Sequence, residues 1–435
     1  MRRALISAGN FSNSYARMFG GKPVKTVTFI VTNDCNLRCT YCYEHNKRGA
    51  EMTLETAKKA VDLMFESDAD GGIWINPIDA DGVIMEFIGG EPLMKIGLID
   101  AVMDYFLQKA VKHDHRWMTR YMISMSSNGL LYHTEPVQRF LRKWEGRVSL
   151  GITVDGDKET HDACRVDKDG NGSYDLAAAA FEDVLAKYGI DITKFTLAPG
   201  NVGRIFKAHT DMIERYDLCR VTSNVVFEEG WTVEHARTMY FELKKLVDWL
   251  RDTGRLENVM LLMFDRVNGQ PLDAAETQNW CGGTGKMLSF DVDGAILPCL
   301  RYSAMSLGGD RPPLVVGHVD TGIGATREQR DTIDMLEAIT RQSQSSEECL
   351  ECPIASGCAW CSAYNYEVYG TPDKRATFIC CMHKARVLAS SYYWNTLFRR
   401  EGSGERFRLN IPREWALEIV PESEYDMLVG LSGKE

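Results

Sequence analysis

Thirteen cysteines restrict what this chain can become more than any other feature of it. Cys35, Cys39 and Cys42 fall within eight residues, and Cys349, Cys352, Cys358 and Cys361 within thirteen. Cys281, Cys299, Cys380 and Cys381 flank the second group, while Cys164 and Cys219 stand apart. An odd total in a 435-residue chain, with no secretory signal ahead of it, makes a poor disulfide framework. It makes a good set of metal or cluster ligands. The composition is otherwise that of an ordinary globular chain, with 44% hydrophobic and 26% charged residues. A net charge of −11 argues against a protein built to coat nucleic acid or an anionic membrane. No apolar run approaches a bilayer span, so a cytoplasmic protein without membrane or nucleic-acid partners is expected. Residues 1–22 carry Arg2, Arg3, Arg17 and Lys22 and no acid; this is faintly similar to a transit peptide but reads as a short ragged N-terminus.

From about residue 26 to 250, strand-like and helix-like segments alternate. Thr26–Thr32, Val83–Gly89, Tyr121–Ser126, Val148–Val154, Phe195–Ala198 and Val221–Phe227 are β-branched or apolar runs of strand length. Between the first two, Thr53 can cap a helix with Leu54, Ala57, Val61 and Met64 on one face. Ile99, Val102, Met103, Phe106 and Ala110 repeat with helical period, and residues 236–251 are helical too. This α/β alternation implies a parallel sheet, either open and doubly wound or a partial β/α barrel. Both place ligands at the carboxyl ends of strands.

Beyond residue 255 the texture changes. Eight cysteines lie between 281 and 381, apolar periodicity is scarce, and a region so built needs staples that its thiols can supply. Asp291-Val292-Asp293-Gly294 reads as a hairpin turn between Cys281 and Cys299. A helix is expected through Ala385–Leu397, then a linker at 401–404 and a solvated tail. The expected organisation is an N-terminal segment (1–24), a barrel (25–255), a Cys-rich domain (256–385) and a C-terminal helix and tail (386–435).

The first thiol group follows the first strand as Cys35-x3-Cys39-x2-Cys42, and no fourth Cys follows until Cys164. A closed iron–sulfur cube takes four thiolates; three leave one iron open to a chelating molecule. A zinc knuckle and a ferredoxin-like electron wire are the structural alternatives, although the fourth Cys and Pro of a bacterial ferredoxin run are missing.

With these residues the sequence resembles the radical S-adenosylmethionine (SAM) enzymes, whose signature is this loop after the first strand with an aromatic residue, here Tyr41, before the last Cys. Gly89-Gly90-Glu91-Pro92 at the end of the second strand looks like the Gly-Gly-Glu-Pro motif of that family. The resemblance implies glycines that let backbone approach a ligand, and Glu91 as the charge that receives its ammonium. Ser127-Asn128-Gly129 resembles the ribose-contacting segment. Thr153-Val154-Asp155-Gly156, with His161, Asp162 and Arg165, resembles the stretch whose Arg pairs the SAM carboxylate; Thr153 stands where the family usually has Ser.

The second set of thiols closely resembles the SPASM domain, the auxiliary-cluster module of radical SAM peptide maturases, with one residue fewer than that pattern before Cys361. By position, Cys349, Cys352, Cys358 and Cys380 would hold an outer cluster, and Cys281, Cys299 and Cys361 an inner one. That gives three 4Fe-4S clusters, one of them binding SAM, and leaves Cys164, Cys219 and Cys381 spare. Sulfatase maturases of this architecture carry a further Cys where this chain has Met287, and a catalytic Asp directly after the second SPASM Cys, where this chain has Leu300-Arg301-Tyr302.

The resemblance therefore implies an enzyme that cleaves SAM to a 5′-deoxyadenosyl radical and modifies a Cys-rich precursor peptide. An inner cluster with three protein ligands would accept a substrate thiolate, which favours a thioether cross-link. Other peptide chemistry (carbon–carbon linkage, dehydrogenation, epimerisation, sulfatase-type oxidation) is the alternative, and a non-catalytic iron–sulfur or zinc protein a remoter one. An electron donor such as flavodoxin or ferredoxin is implied. Some 25 residues precede the first strand, too few for an added leader-binding domain, so a separate leader-recognition protein or another surface such as the 401–435 tail is expected.

Overall fold

The computed structural model describes residues 24–66, 82–189, 191, 193–272, 281–285, 287–402 and 405–433. Residues 1–23 of the expected N-terminal segment (1–24) and two residues of the expected linker lie outside them.

Six strands carry the first half: β1 (Val24–Thr32), β2 (Gly82–Gly89), β3 (Tyr121–Ser127), β4 (Val148–Ile152), β5 (Lys194–Leu197) and β6 (Arg220–Val225). Each matches one expected run to within a few residues. Strands β1 to β4 pair in parallel in simple sequence order, and β5 pairs in parallel with β6, which pairs with the short β7 (Met260–Leu261). The order never reverses, as it would at the switch point of a doubly wound sheet, so the crossovers wind one way around a partial barrel.

Alternation on β1 explains its layers. Val27, Phe29 and Val31 are fully buried in the main core beside Val83, Met85 and Phe87 of β2. One residue away, Thr28 donates to Oε2 of Glu86 at 2.6 Å. Helices cover the apolar layer. Thr53 caps helix Leu54–Phe65 through the amide of Thr56, and helix Ile96–Lys112 buries the five residues its period marks. Each large side chain so buried contributes roughly 2 kcal/mol.

Two-residue strands β8 (Ser289–Phe290), β10 (Gly317–His318) and β11 (Gly322–Ile323), with the three-residue β9 (Ala295–Leu297), make up the sheet of the Cys-rich region. The expected hairpin turn joins β8 to β9. β8 lies parallel to β1, with Phe29 opposite Phe290, so this region prolongs the barrel sheet from its first strand. A helix at Arg327–Ala338, which periodicity did not single out, begins with a capping box at Thr326 and Gln329.

The long helix Cys380–Glu401 packs on helix Val233–Asp252. The tail beyond it is not solvated. Phe407, Leu409 and Ile411 are buried, and helix Glu422–Ser432 packs back on the long helix. Glu424 takes the hydroxyl of Tyr240 at 2.6 Å and the ammonium of Lys244 at 2.8 Å. The charge of this tail suggested water; its apolar residues decide the outcome.

Candidate functional site

The loop after β1 carries Cys35, Cys39 and Cys42, and backbone bonds to three other segments fix it. The Asn33 amide donates to Ala50 O, Arg38 to Val166 O, and Thr40 to Cys164 O. Gly90 and Glu91 donate to Thr32 O and Asp34 O, each at 3.0 Å. A Cβ on Gly90 would lie 2.1 Å from the Asp34 carbonyl oxygen and 2.8 Å from Cys35 Cβ, and one on Gly89 would lie 2.2 Å from Thr32 O. The sequence suggested that these glycines make room for a ligand. What they admit in the structure is the thiol loop itself.

Glu91 is almost fully buried. Oε1 accepts from the Leu93 amide at 3.0 Å and the Ser127 hydroxyl at 2.8 Å, and Oε2 from the Asn128 amide at 2.9 Å. Ser127 and Asn128 thus orient this carboxylate, and of its roughly four acceptor positions one stays open. Burial raises its pKa against those three bonds. The Asn128 amide group also donates to Oδ1 of Asn36, next to Cys35, at 2.7 Å.

Arg165 is buried rather than a surface charge. It donates to the Tyr41 oxygen at 2.8 Å, and the Tyr41 hydroxyl donates to Asp155 Oδ2. Asp155 Oδ1 accepts the Thr196 amide at 3.1 Å. Tyr41, Asp155 and Arg165 therefore form one chain of bonds behind Cys39. Nε of Arg165 is buried and has no partner among the described residues, which leaves a donor for a ligand. His161 is structural. Its Nδ1 accepts from the Asp155 amide, its Nε2 meets the Ser173 hydroxyl, and burial holds its pKa down to about 3. Lys47 donates to Cys42 Sγ at 3.1 Å.

Cys281, Cys299 and Cys361 come together from segments some 80 residues apart. Burial raises the Cys299 thiol, and the nearby Cys361 and Cys281 raise it further. The hydroxyl of Ser362 lies 3.1 Å from Cys281 Sγ. Cys349, Cys352, Cys358 and Cys380 form another set. Burial raises Cys380 to about 11, with added repulsion from Cys358, Cys352 and Cys349. Cys381 turns elsewhere, with its thiol 3.6 Å from Thr232 O. Adjacent positions on a helix point about 100° apart, which separates the two thiols.

The thiol sets suit a large cationic group. Buried thiols that repel one another need a positive core to become thiolates together. A cavity of about 660 Å³ joins the sites: Cys35, Cys39, Cys42, Cys281, Cys299 and Cys361 all line it. Gly89, Gly90, Glu91, Ser127, Asn128, Tyr41, Thr153 and Arg165 line it too; Pro92 is buried behind them at the start of a short helical turn. Lys194, Glu228 and Arg301 share this wall and were not anticipated as site residues. No helix among the described residues is long and apolar enough to cross a membrane.

Residues 20–174 match a family described as a 4Fe-4S single cluster domain. An uncharacterized protein of Methanocaldococcus jannaschii is 29% identical over 34% of this chain and 45% of its own length. A cysteine-type anaerobic sulfatase-maturating enzyme of Clostridium perfringens strain 13 is 26% identical over 45% of this chain and 48% of its own. The chain thus spans about half the length of these curated relatives. The solved structure of native anSMEcpe with bound AdoMet and Cp18Cys peptide superposes with a TM-score of 0.60, covering 87% of this chain and 99% of that one. At 16% identity that likeness speaks for the fold alone. The chain resembles the radical SAM peptide maturases of the SPASM type. Its barrel and Cys-rich extension have the architecture of that group.

Proposed function

We propose that this chain is a cytoplasmic radical SAM maturase that forms thioether cross-links in a Cys-rich precursor peptide. The observation that carries the reading is the shared cavity, in which the Cys35–Cys39–Cys42 loop and the Cys281–Cys299–Cys361 set line one space of about 660 Å³. That volume suits a small cofactor beside a peptide side chain.

Cys35, Cys39 and Cys42 would hold a 4Fe-4S cluster with one iron left for SAM. Cys281, Cys299 and Cys361 would hold an inner auxiliary cluster, and Cys349, Cys352, Cys358 and Cys380 an outer one. When bound, these groups supply one-electron chemistry and the 5′-deoxyadenosyl radical that takes a hydrogen atom from the peptide. The chain supplies placement. The open acceptor position of Glu91 would receive the SAM ammonium, and Nε of Arg165 its carboxylate. Ser127 and Asn128 favour the ionised form of Glu91 by donating to it, against the effect of its burial, while Tyr41 and Asp155 fix the guanidinium. Thr153 offers a hydroxyl at the cavity wall. Met263, Met287, Trp360 and Phe227 make part of that wall apolar and exclude water from it. Holding both partners of the new bond in one cavity makes their union an intramolecular step. An external reductant of the flavodoxin or ferredoxin kind and a leader-recognition partner complete the proposal.

Iron and sulfide analysis tests the cofactor set; three cubane clusters correspond to about twelve iron atoms per chain. Mass spectrometry of a co-expressed Cys-rich peptide tests the product, a loss of two hydrogens per thioether. The likeness in fold to anSMEcpe favours a second reading, oxidation of a peptide Cys of the sulfatase-maturase kind. It predicts a product in which oxygen replaces sulfur. The position after Cys299 argues against it, because Leu300 and Arg301 offer no base there.

A further inference from the structure

The charges around the cavity do not balance locally. Arg301 is paired with Glu228 at 2.6 Å and lies over the ring of Tyr43, with centroid 4.5 Å away. Arg165 is compensated by Asp155 through Tyr41. Lys47 is bonded to Cys42 Sγ and Glu44 O. Lys194, at the start of β5, differs from all three. It lines the cavity, yet among the described residues no carboxylate lies within ion-pair distance of its ammonium and no acceptor is bonded to it. Arg165 and Arg301 lie close enough to repel it, and Asp155, the acid that attracts it, already accepts from Tyr41 and Thr196. Lys194 is exposed rather than packed against the barrel walls, and the protein surrounding the cavity lowers its pKa. Its ammonium is thus free to meet an anion inside the cavity, whose lining also carries Arg165 near Cys39 and Arg301 near Cys361.

We propose that Lys194 is a carboxylate-binding residue of the cavity, receiving an acidic group of the bound molecule between the two three-thiol sets. This rests on the functional reading above and adds a substrate class: a peptide with Asp, Glu or a free C-terminus at a fixed distance from the reacting Cys. A tetrahedral ammonium with three donors suits a carboxylate approaching along the cavity, where a neutral side chain would leave the charge unpaired. SAM carries a carboxylate too, and the test separates the two sources.

The full-length protein, reconstituted with iron and sulfide under anaerobic conditions, is compared with Lys194→Met and Lys194→Arg. One measurement is equilibrium dialysis of SAM and of decarboxylated SAM. The other is selection of random Cys-containing decapeptides on the immobilised, SAM-loaded protein. If the carboxylate is the peptide's, the wild type enriches Asp and Glu over Asn and Gln at one spacing from Cys. Lys194→Met then loses that preference by about tenfold, the scale of one charge-assisted hydrogen bond, and Lys194→Arg keeps most of it. SAM affinity stays unchanged in that case. If the carboxylate belongs to SAM, Lys194→Met weakens SAM about tenfold and leaves decarboxylated SAM alone, which supports the anchor and reassigns its ligand. Normal SAM binding with identical peptide preferences in all three proteins overturns the role of Lys194 while leaving the functional reading intact. A wild type that takes up iron but binds no SAM overturns both.

Discussion

The molecule holds its thiols in two different ways. Cys35, Cys39 and Cys42 share one eight-residue loop at the end of a nine-residue strand, and backbone bonds to Ala50, Cys164, Val166 and Glu91 fix that loop. The other seven thiols come from Cys281 to Cys380: Cys281, Cys299, Cys352, Cys358 and Cys361 on loops between short elements, Cys349 in the four-residue helix Glu347–Leu350, and Cys380 at the start of the helix Cys380–Glu401. The difference teaches where each site gets its geometry. The barrel core dictates the first. The second set has no such frame, so any group bound there and the fold around it would have to support each other.

Replacing Cys35, Cys39 and Cys42 together by Ala should abolish 5′-deoxyadenosine formation and remove about a third of the iron, leaving far-ultraviolet circular dichroism unchanged. Surviving SAM cleavage would end the assignment of the first site. Next in size is metal removal. Chelation of the reconstituted protein should open residues 317–361 to hydrogen exchange by orders of magnitude, with β1 to β4 still protected. Equal loss of protection in both halves would erase the contrast drawn here. Gly90→Ala should cost about 1–3 kcal/mol in thermal unfolding, because its Cβ meets backbone rather than a movable side chain. It should deplete iron from the first site alone. Gly97→Ala, where a Cβ meets nothing within 4 Å, should be neutral or slightly stabilising.

A further contrast concerns pH. His161 and His209 are buried in the barrel half, and burial depresses their folded-state pKa values to about 3 and about 4. The unfolded chain binds protons near pH 6.5 and the folded one does not, so stability falls as pH drops below that value. Each histidine should contribute about 2 kcal/mol of that loss between pH 6.5 and 5. His209→Gln should flatten the denaturation profile over this window; an unaltered slope would show that the ring is charged or exposed.

Sequence legibility followed the same division. The six barrel strands could be read because each has an apolar run long enough to show a pattern, and the first thiols because their ligands are neighbours in sequence. The pairing of β8 with β1 could not be read, since Ser289–Phe290 is too short to have a period. Tyr41, Asp155 and Arg165 were each visible as residues, but a bond network between positions over 100 apart has no local signature. Lys194 precedes the expected strand Phe195–Ala198 by one residue, and nothing in the sequence around it sets it apart. Arg301 was noticed only as one of the residues following Leu300, which stands where an acid might have been. The tail misled because its charges were counted and Phe407, Leu409 and Ile411 were not weighed.

The adjacent thiols at the start of the helix Cys380–Glu401 have a consequence for how this chain can drift over generations. Cys380 joins the outer set and Cys381 faces Thr232, so helical phase alone decides which sulfur serves. A one-residue slip that carried Cys381 into the place of Cys380 would also turn the buried Met382, Ala385, Leu388 and Ala389 out of the core. The packing of this helix therefore holds the choice of sulfur fixed, and Cys381 is free to change without costing the outer set a ligand.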